Sequence, residues 1–382
     1  MNILYILHYH ELNGSIRSTL DLAKGLETYN IRPFFIVPRL GMVTECLSSE
    51  SISFQVLPVP FWMEKKSISL KAKIKRTREL LQSTKRIRNL IEEWHIDLVY
   101  TNTSVTPVGR LAARWASIPH FWHIREFGDL HFSLHYLYPE SICRKFIESS
   151  DAVFFNSIAV RNHFEAKSSL KSSVIYNGIK TRKEFDVLYS KAASKSENKT
   201  FTFLIIGAIS PKKGQETAIN AFSKVIKNGF HARLLICGSG RENYVSEVKE
   251  KVERLGLQDC VEFEGFIYDP YEAYFRSDCL LMCSDYEAFG RVSAEAMSTC
   301  LPVIGKNSGG TPEVVVDGKT GILYDTEDEL VDAMIWMMQH PAEASQMGLA
   351  GWARARELFN TEDCATKVFE IIQSIVFNPH YQ

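Results

Sequence analysis

Two glutamates eight positions apart are the first residues of this sequence that indicate chemistry. Glu287 and Glu295 lie in the stretch SDYEAFGRVSAEAM, on either side of Gly290. In one continuous helix, eight residues advance about 80° beyond two full turns, so the two carboxylates would not share a face. A helix that begins near Gly290 is the better interpretation, with Glu287 in the preceding loop and Glu295 on the second turn.

The start of such a helix is an anion-binding site, because the N–H groups of its first turn, near Phe289 and Gly290, have no partner within the helix. A carboxylate on each side suits a ligand with an anionic centre and hydroxyl groups at both ends. A nucleotide sugar is such a ligand, and its hydroxyls would donate charge-assisted hydrogen bonds to the carboxylates. A pair of surface glutamates around a helix-start glycine is the alternative that the spacing leaves open.

A second stretch, FLIIGAISPKKGQETAINAF, combines a strand, a glycine turn, two lysines and a helix. Gly207 ends the predicted strand, and Lys212 and Lys213 open the predicted helix. A lysine beside a helix N-terminus binds phosphate as a point charge added to the helix dipole. The Walker pattern GxxxxGK[ST] is absent, and solvated surface lysines are the alternative interpretation.

Three other glycine-containing loops are weaker signals. A tight strand-to-helix turn explains Gly240 in LLICGSGRENY equally well, and an ordinary loop explains Phe266 after the predicted strand VEFE. Gly14 and Ser15 precede a helical pattern after the first strand, which is again compatible with phosphate binding. The fingerprint GxGxxG is missing there, which disfavours a nicotinamide-type domain.

A polar cluster stands out in the first half of the chain. The stretch FWHIREFGD places His123, Arg125, Glu126 and Asp129 after a predicted strand, among aromatic residues. Such a cluster of titratable groups predicts a functional site about as readily as a structural one.

Short apolar runs alternate with longer amphipathic stretches along both halves, which is typical of parallel sheets covered by helices on both faces. Strands are predicted at 2–8, 33–37, 52–57, 97–101, 152–156, 173–176, 201–206, 233–237, 261–264, 279–283 and 301–304. Helices are predicted at 16–29, 66–94, 105–116, 213–228, 242–256, 289–299 and 327–340. The polar segment 181–200 is predicted as the boundary between two doubly wound α/β domains. Ligands of such sheets bind beyond the carboxyl ends of the strands.

Composition is that of a soluble globular protein, with 45% apolar and 23% charged residues among 382. The eight cysteines form no CxxC pair, which favours reduced thiols over a metal site. The N-terminus lacks the features of a secretory signal, and no apolar run approaches the roughly 18 residues of a membrane span. A cytoplasmic protein is therefore expected, with no nucleic-acid partner.

The net charge of −1 conceals an asymmetry between the halves. Residues 1–180 contain 23 Lys and Arg against 16 Asp and Glu, a net of +7, and the remainder contains 21 against 29, a net of −8. Within the first half, residues 65–88 hold ten Lys and Arg and one acid, Glu79. The segment 65–78 is either a solvated helix face or a surface for anionic lipid or an anionic acceptor, which would make the protein peripheral on the inner face of a membrane.

Together these stretches resemble the donor-site signature of the family-4 glycosyltransferases, also called glycosyl transferases group 1. The resemblance lies in EAFGRVSAEAM followed by PVIGKNSGGTPEVVVDGKTGILY, with YNGI, GAISPKKG, CGSG and EGF before them in family order. It is strong over about 170–330 and weaker but continuous elsewhere.

The resemblance implies the GT-B architecture, α/β with two facing Rossmann-like doubly wound domains. Residues 1–178 would form the acceptor-side domain and 179–360 the nucleotide-sugar-binding domain, with a closing helix at 361–377 that crosses back onto the first. It also implies a retaining enzyme that moves a hexose-type sugar from a nucleotide diphosphate sugar, UDP- more often than GDP-. The acceptor would be a saccharide or lipid-linked saccharide, in the assembly of surface polysaccharide or glycan. No cofactor and no metal are expected, in line with the absence of a D-x-D pattern.

The family also implies roles for single residues. Glu287 would hold hydroxyls of the donor sugar, Lys213 would neutralise the diphosphate, and His123 would lie near the reacting sugar, so these three form the predicted catalytic set. Arg125 and Glu126 are acceptor-side candidates. The predicted donor-binding residues are Gly14, Ser15, Gly207, Lys212, Gly240, Phe266, Phe289, Gly290, Arg291, Val292 and Glu295, the last of them at the ribose.

One position departs from the family. Arginine often follows the glycine that ends the first strand of the second domain, and here that residue is Ala208, so Lys212 or Arg291 would have to compensate. A nucleotide-sugar epimerase and a non-catalytic nucleotide-sugar-binding protein on the same fold are the alternatives. A glycosidase also uses paired carboxylates, but it needs no phosphate-binding features.

Overall fold

A computed structural model of the protein describes residues 1–165, 172–194 and 200–376, except for the side chains of residues 131 and 132. The chain forms two compact units. The first domain contains residues 1–178 and the segment that begins at Thr361, and the second contains residues 179–360.

The first domain is built on a seven-stranded sheet with the order β3-β2-β1-β5-β6-β8-β9, in which neighbouring strands are parallel. A small antiparallel pair, β4 and β7, lies outside it. The strands are β1 (Asn2–Ile6), β2 (Arg32–Val37), β3 (Ser53–Val56), β4 (Met63–Glu64), β5 (Leu98–Thr101), β6 (His120–Ile124), β7 (His135–Tyr136), β8 (Ala152–Phe155) and β9 (Ser173–Val174).

Helices cover both faces of this sheet. Alternate residues of β1 enter two different cores: Ile3 packs in one with residues of α1, α2 and α16, and Leu4 in the other with residues of α3 and α4. This alternation is the two-residue period of a strand that is buried on both faces. The helices are α1 (Gly14–Glu27), α2 (Met42–Ser49), α3 (Leu70–Glu93), α4 (Val108–Ala116), α5 (Asp129–Phe132), α6 (Glu140–Glu148), α7 (Ile158–Glu165) and, from the end of the chain, α16 (Thr361–Val376).

The second domain has a six-stranded sheet with the order β12-β11-β10-β13-β14-β15, again parallel throughout the described pairs. Its strands are β10 (Phe201–Ile206), β11 (Ala232–Cys237), β12 (Val261–Gly265), β13 (Cys279–Met282), β14 (Val303–Lys306) and β15 (Gly321–Tyr324). Its helices are α8 (Arg182–Ala193), α9 (Gln215–Lys227), α10 (Glu242–Arg254), α11 (Tyr271–Phe275), α12 (Arg291–Ser298), α13 (Thr311–Val314), α14 (Glu327–Gln339) and α15 (Pro341–Leu358), with a 3₁₀ turn at Pro211–Lys213.

Each sheet reverses its strand order once. In the first domain β1 and β5 are neighbours, and in the second β10 and β13 are neighbours. The crevice beyond the carboxyl ends of such a pair is where doubly wound folds bind ligands. In the second domain the loops at that point contain both Lys213 and Glu287.

The interpretation of 181–200 as a polar boundary segment is wrong for residues 182–193, which form helix α8. Thr181 and Glu184 form a capping box, and Phe185 is fully buried. The carbonyl of Phe185 accepts a hydrogen bond of 3.0 Å from Nε1 of Trp352. The capping box, the buried Phe185 and contacts with α15, including an ion pair between Asp186 and Arg356, together hold this polar segment as a helix.

Candidate functional site

Backbone contacts bring the loops at the carboxyl edge of the second sheet together. Gly238 after β11 has φ +147°, and a Cβ there would lie 1.8 Å from the carbonyl oxygen of Gly207 after β10. At Gly214, which precedes α9, a Cβ would lie 2.1 Å from the carbonyl oxygen of Cys283 after β13. Because no side chain fits at either contact, glycine allows these three loops to pack directly against one another.

Lys213 and Glu287 form an ion pair at this edge. Lys213 Nζ lies 2.6 Å from Glu287 Oε2, and the two side chains are 25% and 17% exposed. The loop that holds Glu287 is itself fixed, because Gly310 N, after β14, donates a 2.7 Å hydrogen bond to the Glu287 carbonyl. The structure thus brings together two of the three residues in the predicted catalytic set.

Glu295 lies on α12, which begins at Arg291 after Gly290 as its N-cap, as the sequence predicts. Glu295 is only 7% exposed. Oε1 accepts a 2.7 Å bond from Arg291 Nε, and Oε2 accepts a 3.1 Å bond from Tyr274 Oη. Burial and the charge of Glu295 raise the pKa of Tyr274 well above its usual value, so its hydroxyl stays protonated and donates to the carboxylate.

Two residues that the sequence did not indicate support these groups. Tyr274 on α11 is one of them, and Gln215 at the start of α9 is the other. The buried Gln215 donates from Nε2 to the Ala208 carbonyl, at 3.0 Å, and accepts at Oε1 from Ser210 N, at 3.3 Å. It therefore fixes the loop in which Ala208 replaces the arginine common in the resembling family.

The remaining predicted donor-binding residues of the second domain differ in whether their side chains are buried, paired or exposed. The Phe289 side chain is buried against Phe359, with the ring centroids 5.2 Å apart, so only its backbone is suited to a ligand. The Arg291 side chain forms an ion pair with Glu295. The backbone carbonyl of Lys212 accepts a hydrogen bond from Asp285 N at 3.2 Å. Gly207, Gly240, Phe266 and Val292 lie in or directly after the loops at the carboxyl edge, and Phe266 is exposed.

In the first domain, Gly14 is the first residue of α1 and Ser15 the second. Asn13 caps the helix: its Oδ1 accepts from Ile16 N at 3.0 Å and from Ser15 Oγ at 2.8 Å. Asn13 is not among the predicted site residues, although asparagine before a helical pattern is a typical N-cap signal.

The prediction that His123 follows a strand is wrong. His123 lies inside β6 and is 0% exposed. Its Nδ1 lies 2.6 Å from Tyr100 Oη and 3.1 Å from Arg125 Nη2. Arginine has only donors, so Nδ1 accepts and the proton resides on Nε2. Burial and the Arg125 charge hold the pKa of His123 well below its usual value, which keeps the ring neutral.

Arg125 and Glu126 follow β6 and are also buried. Glu126 Oε1 accepts three hydrogen bonds, from Thr103 Oγ1 at 2.8 Å, Ser104 N at 2.6 Å and Ser104 Oγ at 2.7 Å. Arg125 contacts Asn102, Asn177 and His123. Asp129, from the same sequence cluster, lies 2.7 Å from His163 Nε2.

Residues 1–165, 172–194 and 200–376 contain no group of three or more His, Cys, Asp or Glu side chains that could hold a metal ion. No helix in those same ranges is long and apolar enough to cross a membrane. The eight cysteines are free thiols.

Two family models match the chain. Residues 189–353 match the family described as Glycosyl transferases group 1, and residues 12–183 match Glycosyltransferase Family 4. The chain is 29% identical over 239 residues to N-acetyl-alpha-D-glucosaminyl L-malate synthase of Bacillus anthracis, covering 61% of each chain. It is 28% identical over 300 residues to a GDP-mannose-dependent alpha-(1-6)-phosphatidylinositol monomannoside mannosyltransferase of Mycobacterium tuberculosis, covering 72% of this chain and 76% of that one.

Among solved structures, the chain is similar to Anabaena Alr3699/HepE in complex with UDP-glucose. The TM-score is 0.78 at 22% identity, and the similarity covers 98% of this chain and 100% of that one. A likeness over both domains confirms the predicted GT-B class with two Rossmann-like domains. The two family models together cover both domains, and the chain therefore belongs to the group 1 glycosyltransferases of family 4.

Proposed function

We propose that the protein is a retaining glycosyltransferase that moves a hexose-type sugar from a nucleotide diphosphate sugar to a saccharide or lipid-linked saccharide. Assembly of surface polysaccharide or glycan is the proposed context. The observation that carries this proposal is the Lys213–Glu287 pair, which lies with Glu295 at the carboxyl edge where β10 and β13 are neighbours. A positive charge, two carboxylates and a helix start in that crevice suit a phosphate flanked by hydroxyl groups.

The proposed roles follow from the charges. The leaving group is a nucleoside diphosphate, and Lys213 and the N–H groups at the start of α12 stabilise the negative charge that develops on it. When Lys213 engages phosphate, the Glu287 carboxylate becomes available to hydroxyls of the donor sugar. Glu295, oriented by Arg291 and Tyr274, accepts from the ribose hydroxyls.

The proposed reaction needs no metal, since the sequence lacks a D-x-D pattern and Lys213 with the α12 dipole supplies positive charge. The acceptor oxygen forms a bond to the anomeric carbon from the face that the diphosphate leaves. The carbon–oxygen bond to the diphosphate breaks, and a departing phosphate oxygen takes the acceptor proton. A neutral, fully buried His123 fits this scheme, because no step requires an imidazolium.

A uridine donor is proposed over a guanosine donor. Support comes from the structure of Anabaena Alr3699/HepE, which contains UDP-glucose and resembles both domains of this chain. The mycobacterial relative is named for its dependence on GDP-mannose, so GDP-sugars are the comparison that the test must include.

A lipid-linked acceptor would place the protein on the inner face of a membrane, at the cytoplasmic side. The start of α3 supports such docking: Leu70 is 75% and Ile74 is 47% exposed, and Lys71, Lys75 and Arg78 beside them are exposed too. A helix with exposed apolar and basic side chains binds anionic bilayers through both. A relative from Streptococcus pneumoniae is named alpha-monoglucosyldiacylglycerol synthase, after a product that is a lipid.

A thermal-shift screen against UDP- and GDP-sugars in the presence of EDTA tests the donor. A ligand at 100 times its Kd adds about 2.7 kcal/mol to the free energy of unfolding and raises Tm by several degrees. The shift should occur with UDP-sugars and disappear in Glu295→Ala. Glu327→Ala, which removes a surface carboxylate paired with Lys224, is the control and should keep the shift.

The outcomes separate the candidate functions. If the sugar is transferred to an added acceptor and NMR shows that the product keeps the anomeric configuration of the donor, the result supports a retaining transferase. Conversion of the nucleotide sugar without an acceptor would identify an epimerase instead. No shift with any nucleotide sugar would reject the proposal.

A further inference from the structure

A buried chain of hydrogen bonds in the first domain connects four segments that are remote in sequence. Asn102, after β5, donates from Nδ2 to the Ser15 carbonyl at 3.2 Å. Arg125, after β6, donates from Nε to Asn102 Oδ1 at 2.5 Å. Its Nη1 donates to Oδ1 of Asn177, which lies after β9. Arg125 is therefore the junction through which the start of α1 and the segment at Asn177 are connected.

Arg125 is 5% exposed, and Asn102, His123 and Asn177 are buried as well. A buried guanidinium is costly unless its N–H groups donate. Each of its three nitrogens does so: Nε to Asn102, Nη1 to Asn177 and Nη2 to His123. This geometry depends on a planar fork of donors, which lysine cannot reproduce.

Asn177 is at the point where the chain leaves the first domain, because Gly178 is the last residue of that unit before the second begins. The chain returns at Thr361. Burial raises the pKa of the nearby Cys364 thiol on α16, and the Gly178 backbone and the charge of Arg125 oppose that rise. The guanidinium is thus close to both places where the chain passes between the domains.

We propose that Arg125 is a positioning residue that fixes the Gly14–Ser15 helix start and the crossing segment at Asn177, and is not a group that contacts the acceptor. The kinetic part of this inference rests on the proposed function, since it treats the Gly14–Ser15 start as a donor-binding segment. The structural part stands on the hydrogen bonds alone.

A matched control exists in the same strand. His120 begins β6, at the opposite end from Arg125, and is also buried. It lies 2.8 Å from Thr101 Oγ1 and 3.0 Å from Ser150 Oγ. Ser150→Ala removes one partner of a buried polar side chain, as Asn177→Ala does, but far along the strand from the Gly14–Ser15 start.

The test compares Arg125→Lys, Asn177→Ala and Ser150→Ala with the wild type by amide hydrogen exchange and by donor kinetics. Asn177→Ala is the milder change and is included because Arg125→Lys risks failure to fold. We expect faster exchange at residues 14–17 and 177–179 in the first two variants and wild-type exchange there in Ser150→Ala. The KM for the nucleotide sugar should rise about fivefold or more in the first two variants, with a smaller change in kcat and in the acceptor KM.

If amide exchange at residues 14–17 and 177–179 in Arg125→Lys and Asn177→Ala matches that in the Ser150→Ala control, the inference is overturned. A rise confined to the acceptor KM would also overturn it, since that result would make Arg125 a group that contacts the acceptor. If the wild type binds no nucleotide sugar, the proposed function fails, and the exchange data still decide whether Arg125 positions these segments.

Discussion

Lys213 Nζ lies 2.6 Å from Glu287 Oε2, although the two residues are 74 positions apart in the sequence. They meet because β10 and β13 are neighbours in the sheet and each residue lies in the loop after its strand. The pair is partly exposed, so its contribution to stability is small, in the range of about 0–1 kcal/mol. A small contribution to stability is consistent with the proposed function, in which these charges serve a ligand more than the fold.

Lys213→Ala should lower kcat by about 10²- to 10³-fold, which is the cost of removing one group that stabilises developing charge. The Tm should change little because the pair is partly exposed. Steady-state kinetics with a UDP-sugar checks this, with Lys224→Ala as the control, since Lys224 pairs with Glu327 on the helical surface. An unchanged kcat in Lys213→Ala would remove this residue from the catalytic set.

Tyr274→Phe deletes the hydroxyl that donates to Glu295 Oε2. The loss of one hydrogen bond to a buried carboxylate corresponds to about 1.5–3 kcal/mol, so donor affinity should fall at least tenfold. Calorimetric titration with the nucleotide measures the effect. Tyr244→Phe is the matched control, because it removes a hydroxyl that donates to the more exposed Glu216 and should leave affinity unchanged.

Gly238→Ala should destabilise the second domain far more than Gly229→Ala. Both glycines have positive φ, at +147° and +86°, but an added Cβ meets the Gly207 carbonyl oxygen at 1.8 Å only at Gly238. Nothing lies within 4 Å of a Cβ at Gly229, so only backbone strain of roughly 1–2 kcal/mol applies there. Urea denaturation of both variants gives the two values, and equal losses would show that the loops can separate without cost.

Stability should decrease in acid because two histidines are buried without charge. Burial holds the pKa of His120 and of His123 well below the usual value, and nearby Arg110 and Arg125 lower each further. Below about pH 6.5 the unfolded chain binds protons that the folded protein does not, so the free energy of unfolding falls as pH falls. Each histidine contributes a slope of up to about 1.4 kcal/mol per pH unit.

Urea denaturation between pH 7.5 and 5.5 measures that slope. His120→Gln should reduce the slope by up to about 1.4 kcal/mol per pH unit, the contribution of one proton. An identical slope in the variant would mean that His120 takes up a proton in the folded state. Above pH 7 the same variant should lose stability only through its altered hydrogen bonds with Thr101 and Ser150.

Replacing Lys71 and Lys75 by Glu should weaken binding to vesicles that contain anionic phospholipid. Each lysine near such a surface contributes about 1 kcal/mol, so the double variant should bind at least ~30-fold less tightly. Sedimentation with vesicles measures this, and the exposed pair Lys227→Glu and Lys249→Glu in the second domain is the charge-matched control. Equal binding by both double variants would reject docking through α3.

The fold was predictable where apolar runs are short and end in glycine. The run FTFLII before Gly207 is strand β10, and the glycine in EAFGRV precedes α12. The predictions failed where local composition conceals burial. His123 lies inside a strand whose residues are all buried. Because polar residues are uncommon in such strands, the sequence predicted that His123 follows the strand. Helix α8 buries one aromatic residue, Phe185, in a polar segment.

The site was predictable only in part because its partners come from different strands. Lys213, Glu287 and Glu295 carry recognisable local patterns in the sequence. Tyr274 and Gln215 have no such pattern, since their roles arise from contacts that depend on strand order and helix direction. Tyr274 and Glu295 are 21 positions apart, a spacing that matches no helical or strand pattern and so predicts no contact between them.

Helix α16 completes the core of the first domain with Cys364, Ala365, Val368 and Ile372, although the rest of that domain ends at Gly178. The second domain therefore interrupts the first in the order of synthesis. Its whole sequence has left the ribosome before the last helix of the first domain is available, so the domain that is started first is finished last. Until then α1 lacks the helix that packs with it, so the cluster that contains Ile16, Leu22 and Leu26 is incomplete on the nascent chain.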